Sequence, residues 1–375
     1  LEKGVVFCGV NTNELFHQIR LSLVSGVGPV KAKNLILNCG SASAVFKEKA
    51  STLSAIPDIG PATVKAIKEK ELSLRAEREV MFIENHNIQA FFFQDSNYPQ
   101  RLKHCEDSPI LVYFKGTGSL NRQRIISIVG TRRATPYGRQ FCADLLSSLK
   151  PLSPLVVSGL AFGIDIAAHR AALDNELPTV ACVAHGLDKI YPPAHAATAV
   201  EMTNKGGLLS EHLSGTLPDR EFFPMRNRII AGMADCTIVI ETNLKGGSII
   251  TAHLAHSYGR EVFAVPGRYT DSSSQGCNDL IKKNIAAILT GPNDLIDYMG
   301  WEKPSGPSNS VQLPLFEELT DAEQTIMKLL LGQTKQSIDD LALLSGLAIS
   351  TLSSLLLSME FKGLVKCLPG KHYST

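Results

Sequence analysis

Four glycine-containing turns carry the side chains in this sequence that could do chemistry, and the chemistry they suggest is the holding of an anion. The first is Gly130-Thr131-Arg132-Arg133-Ala134-Thr135-Pro136, directly after the apolar run IISIV. Thr135 suits a helix N-cap and Pro136 the first helical position, so those two have a structural explanation. Gly130, Arg132 and Arg133 do not: two guanidinium groups at a strand-to-helix turn, beside free backbone N–H groups, suit phosphate. The second turn is Ser158-Gly159-Leu160-Ala161-Phe162-Gly163-Ile164-Asp165. Its glycines allow a ligand close to the backbone, although tight strand–turn–helix packing accounts for them equally well. Asp165 falls in the helix's first turn, where it serves the dipole or orients neighbours rather than binding phosphate.

The third feature is Phe222-Phe223-Pro224-Met225-Arg226-Asn227-Arg228-Ile229-Ile230-Ala231-Gly232. Cations beside aromatic faces compose a single-strand platform, on which bases stack and phosphates pair. For an isolated R-N-R, a helix start with a solvated basic face is the plainer reading. The fourth is Lys245-Gly246-Gly247-Ser248 after the strand-like TIVIE, a phosphate cradle in miniature.

Several chemistries lack their residues. No G-x-x-x-x-G-K-[ST] loop occurs, and no complete G-x-G-x-x-G, so neither a Walker-type nucleotide hydrolase nor a dinucleotide enzyme is supported. Ser158 lies in VVSGL rather than a G-x-S-x-G elbow. His253 and His256 are spaced i, i+3 but have no cysteine or carboxylate nearby in sequence to complete a zinc set. Neither a metal nor a cofactor is expected.

The elements that must position these turns form an α/β domain. Short apolar runs at 88–93, 110–114, 125–130, 154–159, 178–185, 235–241 and 261–267 alternate with amphipathic stretches. Strands covered on both faces read this way, and the alternation implies a mostly parallel, doubly wound, extended Rossmann-like sheet over 79–301. All four turns would then lie at one edge of one sheet. Before it, residues 1–78 read as a helical domain with an internal repeat, VSGVGPVKAKNLI (24–36) and IPDIGPATVKAIK (56–68). Gly then Pro at a helix start is a helix-hairpin-helix (SAM-like) pattern, whose turns can be purely structural or face a DNA phosphate. Residues 302–316 are rich in Pro, Ser and Gly and read as a linker. Residues 317–375 follow a winged-helix order, with Gly346 in the turn between helices. The recognition helix of that domain, ISTLSSLLLSMEFKG, is poor in Arg and Lys, which favours a protein contact or spacer over DNA.

Bulk composition sets limits. Of 375 residues 44% are hydrophobic and 19% charged, enough for two or three cored domains. The formal net charge is only +1, so a nucleic-acid partner must rest on local clustering of Lys and Arg. Eight cysteines, none in a C-x-x-C pair and most inside apolar runs, suit a reduced, cytoplasmic protein. No apolar run approaches a membrane span, and LEKGVVFCGVNTNE lacks the basic and long apolar regions of a signal peptide.

The ordered motifs GTRRAT (130–135), SGLAFGIDIAAH (158–169), GLDKIYPPAH (186–195), FPMRNRIIAG (223–232), KGGSIITA (245–252), FAVPG (263–267) and GCNDLIKKNIAAIL (276–289) together resemble the DNA-processing protein A (DprA/Smf) family. The resemblance spans nearly the whole chain. It implies a non-enzymatic protein that binds and protects incoming single-stranded DNA, works as a homodimer through its Rossmann domain, and loads RecA recombinase during natural transformation. Carried over by motif, the DNA-binding set is Gly130, Thr131, Arg132, Arg133, Ser158, Gly159, Gly163, Arg226, Asn227, Arg228, Lys245, Gly246, Gly247 and Ser248, with Arg132, Arg133 and Lys245 the best phosphate contacts. One departure is mild: relatives commonly read K-S-G-S where this chain has Lys245-Gly246-Gly247-Ser248. The rival is a phosphoribohydrolase-like enzyme of the same Rossmann variant. Such an enzyme needs a carboxylate poised over the bond it breaks, and no acid occurs between Glu241 and Glu261.

Overall fold

The computed structural model describes residues 12–69, 71–301, 319–331, 336–362, 364–368 and 372–374. The chain divides into two compact units, 1–304 and 305–375. The expected linker at 302–316 lies outside the described residues.

The first unit begins with six helices, α1 (Thr12–Ser22), α2 (Pro29–Cys39), α3 (Ala42–Lys47), α4 (Ala50–Ser54), α5 (Pro61–Ile67) and α6 (Glu71–Asn85). The repeat read from sequence is real: Gly28 and Gly60 are the N-caps of α2 and α5, each followed by proline at the first helical position. These helices bury Ile19, Leu35, Leu53 and Ile67 in one core with Phe92, Tyr113, Ala181 and Leu208 of the sheet. Glu79 of α6 fixes the junction, accepting the Ser214 backbone N–H (2.9 Å) and hydroxyl (2.6 Å) while paired with Arg75 (2.8 Å).

Then follow β1 (Gln89–Phe92), α7 (Gln100–Lys103), β2 (Leu111–Gly116), β3 (Ile125–Gly130), α8 (Pro136–Leu149), β4 (Leu155–Ser158), α9 (Ile164–Asp174), β5 (Thr179–Val183), α10 (Ala196–Met202), β6 (Gly207–Ser210), α11 (Phe222–Met233), β7 (Cys236–Ile240), α12 (Gly247–Ser257), β8 (Glu261–Ala264), α13 (Gln275–Lys282), β9 (Ala287–Ile288) and α14 (Pro292–Tyr298). The nine strands form one sheet in the order β1-β2-β6-β5-β4-β3-β7-β8-β9. β1 and β2 run antiparallel to their neighbours; from β6 to β9 every pairing is parallel. The apolar runs read from sequence are the seven longer-patterned strands. β6 and β9 were not expected: GLLS and AI are too short to show a pattern, and their neighbours in the sheet, not their composition, make them strands.

The inner strands are covered on both faces, as continuous apolar runs require. Ile126, Ile128, Ile238 and Ile240 face α8, α9 and α14, while Val129, Val157 and Val239 face α11 and α12. The chain winds outward from β3 through β4, β5 and β6, then returns to lay β7 on the other side of β3. The strand order therefore reverses between β3 and β7, and in such sheets the crevice at the carboxyl ends of these two strands is where ligands bind.

The second unit holds α15 (Asp321–Leu330), β10 (Gln336–Ser337), α16 (Ile338–Ser345), α17 (Ile349–Phe361), β11 (Lys366–Leu368) and β12 (His372–Ser374). Gly346 ends α16 in the left-handed conformation (φ 70°), and α16 and α17 meet at 110°. With the three-stranded sheet β10-β12-β11 this is the expected winged helix, cored by Ile326, Leu341, Leu352 and Met359. Among the described residues no single helix is long and apolar enough to cross a membrane.

Candidate nucleic-acid interface

The turns after β3, β4 and β7 lie together at the carboxyl edge of the parallel strands, and one acidic residue organises the first of them. Glu241 follows the last residue of β7 with a left-handed backbone (φ 54°) and is 3% exposed. That conformation lets its carbonyl accept the Thr131 N–H (2.7 Å), while its carboxylate accepts the Thr135 N–H (2.8 Å) and the Thr135 hydroxyl. Thr135 is also the N-cap of α8, accepting from the Gly138 N–H. The segment between Thr131 and Thr135 is thus held at both ends, and its two arginines are left exposed.

The second turn braces the first from the other side. Gly163 has φ 82°, and a Cβ there would sit 2.1 Å from the Thr131 carbonyl oxygen. Its absence lets Ile164 donate its N–H to that oxygen (3.1 Å) at the start of α9. Gly159 is needed for another reason: a Cβ would lie 2.2 Å from Arg226 Nη1 and 2.6 Å from Asp165 Oδ2. Ser158 is wholly buried and donates to the Ile128 carbonyl (2.6 Å).

The third feature departs from both readings of R-N-R. Arg226 and Arg228 are neither a solvated basic face nor open phosphate contacts; they are 4% and 7% exposed. Arg226 donates to the Cys182 carbonyl at the end of β5. Burial lowers its affinity for its proton, and the nearby Asp165 carboxylate offsets this. Burial likewise raises the Asp165 carboxyl above its ordinary value, against the pull of Arg226 and the N–H groups of Ala161 and Gly159. Arg228 is paired with Glu211, whose carboxyl burial also raises. Helix α11 runs through the interior, so its cations hold the loops after β4, β5 and β6 in place. Asn227 between them is half-buried.

In the fourth turn Lys245 and Gly247 are exposed at the start of α12, while Ser248 is buried and donates to the Thr242 hydroxyl (2.7 Å). A Cβ on Gly246 would meet that same hydroxyl oxygen at 2.2 Å, whereas one on Gly247 would meet nothing within 4 Å. Lys245 and Gly247 are therefore open to solvent in the turn after β7, the strand next to β3 and its arginine turn.

Arg132, Arg133 and Lys245 make no ion pair among the described residues, and a cationic group left without an acid at a helix-start edge is available to an anion. The Arg132 guanidinium carbon stands 5.5 Å from the centre of the Phe223 ring, which lies 6.2 Å from the ring of Tyr191. Tyr191 and, beside Gly163, Phe162 are about half exposed, at 47% and 51%. Phe162 rests edge-on against His195 (4.7 Å). The edge thus combines free cations with accessible aromatic faces. Sequence reasoning had Phe223 but missed Phe162, Tyr191 and Glu241. For Glu241 there was a signal, an acid closing a mostly apolar strand; for the two aromatics only the fold gives one.

A profile for DNA recombination-mediator protein A matches residues 89–300, more than half the chain. A putative DNA processing protein DprA of Mycobacterium tuberculosis is 33% identical over 353 residues, 93% of this chain and 88% of that one. The chain belongs to the DprA/Smf family. A DprA winged-helix profile matches residues 314–371, and a SAM-like helix-hairpin-helix tandem matches 19–71. The Synechocystis protein Smf is 29% identical over 396 residues, 96% of this chain and 98% of that one. Among solved structures, DprA of Streptococcus pneumoniae superposes with a TM-score of 0.64 at 30% identity, covering 77% of this chain and 98% of that one. A Helicobacter pylori DNA processing protein A, described for its single-stranded DNA binding mode, matches at 0.52 and 30% identity over 56% of this chain and 95% of that one.

Proposed function

We propose that this DprA/Smf protein binds single-stranded DNA along the carboxyl edge of its sheet and passes it to a RecA recombinase during transformation, acting as a holder of the strand rather than as an enzyme. The observation that carries the reading is the exposed trio Arg132, Arg133 and Lys245, with no ion pair among the described residues, and Arg132 set against the Phe223 ring with Tyr191 beside it. Phosphates pair with the three cations and with N–H groups at the start of α12; bases stack on the rings, which every base can do. Among the sequence candidates, Arg226, Arg228, Ser158 and Gly159 act by holding the loops, because burial keeps them from the strand. Dimerisation through this domain would align two edges, so a longer strand gains through effective concentration. The single-strand binding described for the Helicobacter relative, which shares the fold at 30% identity, supports the substrate.

The test is fluorescence anisotropy with labelled oligo-dT across a salt series. Arg132→Ala and Lys245→Ala should each weaken binding and flatten the dependence of log affinity on log salt by about 0.7 for each phosphate that is no longer neutralised. Unchanged affinity in both variants would remove these residues from the site. Adding RecA to the loaded strand tests the handover separately.

A further inference from the structure

The parallel edge does not end at Lys245. Over the ends of β3, β7 and β8 lies a cleft of about 850 Å3 lined by Thr135, Tyr137, Glu241, Pro266, Arg268 and the 270–274 loop. Its volume is toward the upper end of the ~300–1,000 Å3 usual for a ligand site. Thr135 belongs to two structures at once: it closes the arginine turn and lines this cleft.

The walls are fixed by the chain itself. The Tyr137 hydroxyl of α8 reaches the Pro266 carbonyl after β8 (3.5 Å). Asn278 of α13 pins Gly267 from both sides, accepting its N–H (3.2 Å) and donating to its carbonyl (2.9 Å). A Cβ on Gly267 would stand 2.1 Å from the hydroxyl oxygen of Ser274, which is buried against it. The loop between is folded by bonds from the Asp271 N–H to the Arg268 carbonyl (3.0 Å) and from the Ser274 N–H to the Asp271 carbonyl (2.9 Å). Glu241 serves this cleft as structure only: it is buried, and both of its carboxylate oxygens are taken by Thr135.

What the cleft offers a ligand therefore comes from its exposed residues. Tyr137 is 53% exposed, and Arg268, Thr270 and Ser272 are exposed as well. Arg268 makes no ion pair among the described residues. An aromatic face, a free guanidinium and hydroxyls that both donate and accept suit any base with its phosphate, without preference for sequence. Asp271 in the same lining can only accept, which disfavours a phosphate inside; the base is the part that enters, and the phosphate stays with Arg268.

The sheet relates this cleft to the strand site. β3, β7 and β8 are parallel neighbours, so their turns follow one another along the edge and carry Arg132 and Arg133, then Lys245, then Arg268. At ~4.8 Å between strands, the first turn is about 10 Å from the last, no more than three nucleotide steps of ~3.4 Å. We infer, resting on the strand binding proposed above, that the single-strand track continues past Lys245 to Arg268 and sets a base into this cleft against Tyr137.

Anisotropy with labelled oligo-dT of about 20 nucleotides tests it on the full chain. Tyr137→Ala and Arg268→Ala should each weaken binding by about fivefold or more, and Arg268→Ala should flatten the dependence of log affinity on log salt by about 0.7. Tyr137→Phe should keep its affinity, because the ring and not the hydroxyl carries the stacking. A second measurement needs no variant: oligo-dT bearing 4-thiothymidine, irradiated on the wild-type protein and mapped by peptide mass spectrometry, should attach to the segment holding Tyr137 or to the 268–274 loop. Wild-type affinity in both alanine variants overturns the cleft, as does a loss of affinity with no such attachment. If Arg132→Ala still loses affinity in that case, the edge stands without the cleft. Wild-type affinity in both Arg132→Ala and Lys245→Ala would sink the edge itself, and with it the continuation, whatever the cleft variants do.

Discussion

Thr135 gives both its backbone N–H, at 2.8 Å, and its hydroxyl to the carboxylate of Glu241, 106 residues further along the chain. The same threonine caps α8, and the carbonyl of the same glutamate takes the Thr131 N–H. Two residues in the turns that follow adjacent parallel strands thereby set the path of the backbone that presents Arg132 and Arg133. The anion edge depends on an acid that does not touch the anion.

Thr135→Val keeps the shape and the N–H but removes the hydroxyl. One acceptor position of a buried carboxylate then goes unmet, at a cost of about 1–3 kcal/mol. Urea unfolding should show that loss. Oligo-dT affinity should also fall several-fold, although no group that touches the strand has been removed; full affinity in a destabilised variant would mean the turn holds its path without Glu241.

The glycines separate packing from ligand contact. Gly163→Ala imposes a left-handed alanine against the Thr131 carbonyl and should cost at least about 2 kcal/mol. Gly247→Ala meets open space at the first position of α12 and should leave stability unchanged or raise it by about 0.4–1 kcal/mol. Any loss of strand binding by Gly247→Ala, measured by anisotropy, therefore reports a strand lying close against that backbone.

Arg226→Met removes the positive group that offsets Asp165, leaving a buried carboxyl with only its hydrogen bonds to hold it. Stability should drop by about 3 kcal/mol, with partial recovery in Arg226→Met/Asp165→Asn, since the two act through one another. Arg132→Ala should stay within about 0.5 kcal/mol of wild type. Urea midpoints of the four proteins decide this, and an Arg226→Met protein as stable as wild type would contradict the positioning role.

His169 is wholly buried on α9 with Nδ1 2.7 Å from the Thr179 hydroxyl. Burial first, then the Arg226 charge and the neighbouring His195 ring, push its pKa down to about 3. A folded value below the unfolded 6.5 means the unfolded chain binds more protons between the two. The contribution is therefore complete above pH 6.5 and is lost as pH falls toward 3. By pH 5 this one group should cost about 2 kcal/mol, and His169→Asn should show a shallower loss of stability between pH 7 and pH 5. Asp165 and Glu211, raised by burial, work in the opposite sense by taking up protons more readily when folded.

The architecture and the turns along the edge are legible in the sequence. Continuous apolar runs such as IISIV and CTIVI can be buried on both faces only in an inner strand, and Gly-Pro before a helical stretch can only begin a helix. Those constraints are local, so the strands, the hairpin repeat, the winged helix and the turns carrying Arg132, Arg133 and Lys245 were legible. Which charges face water depends instead on tertiary packing. Arg226 and Arg228 differ from Arg132 and Arg133 in nothing a linear pattern can show; they are buried because α11 crosses the interior between the sheet and its neighbouring helices, where Cys182 and Glu211 await them. Glu241 is likewise just an acid after an apolar strand until β3 is laid beside β7, and Phe162, Tyr191 and Phe223 come from three separate segments. Burial and partnership depend on residues distant in sequence, and folding alone brings those residues together.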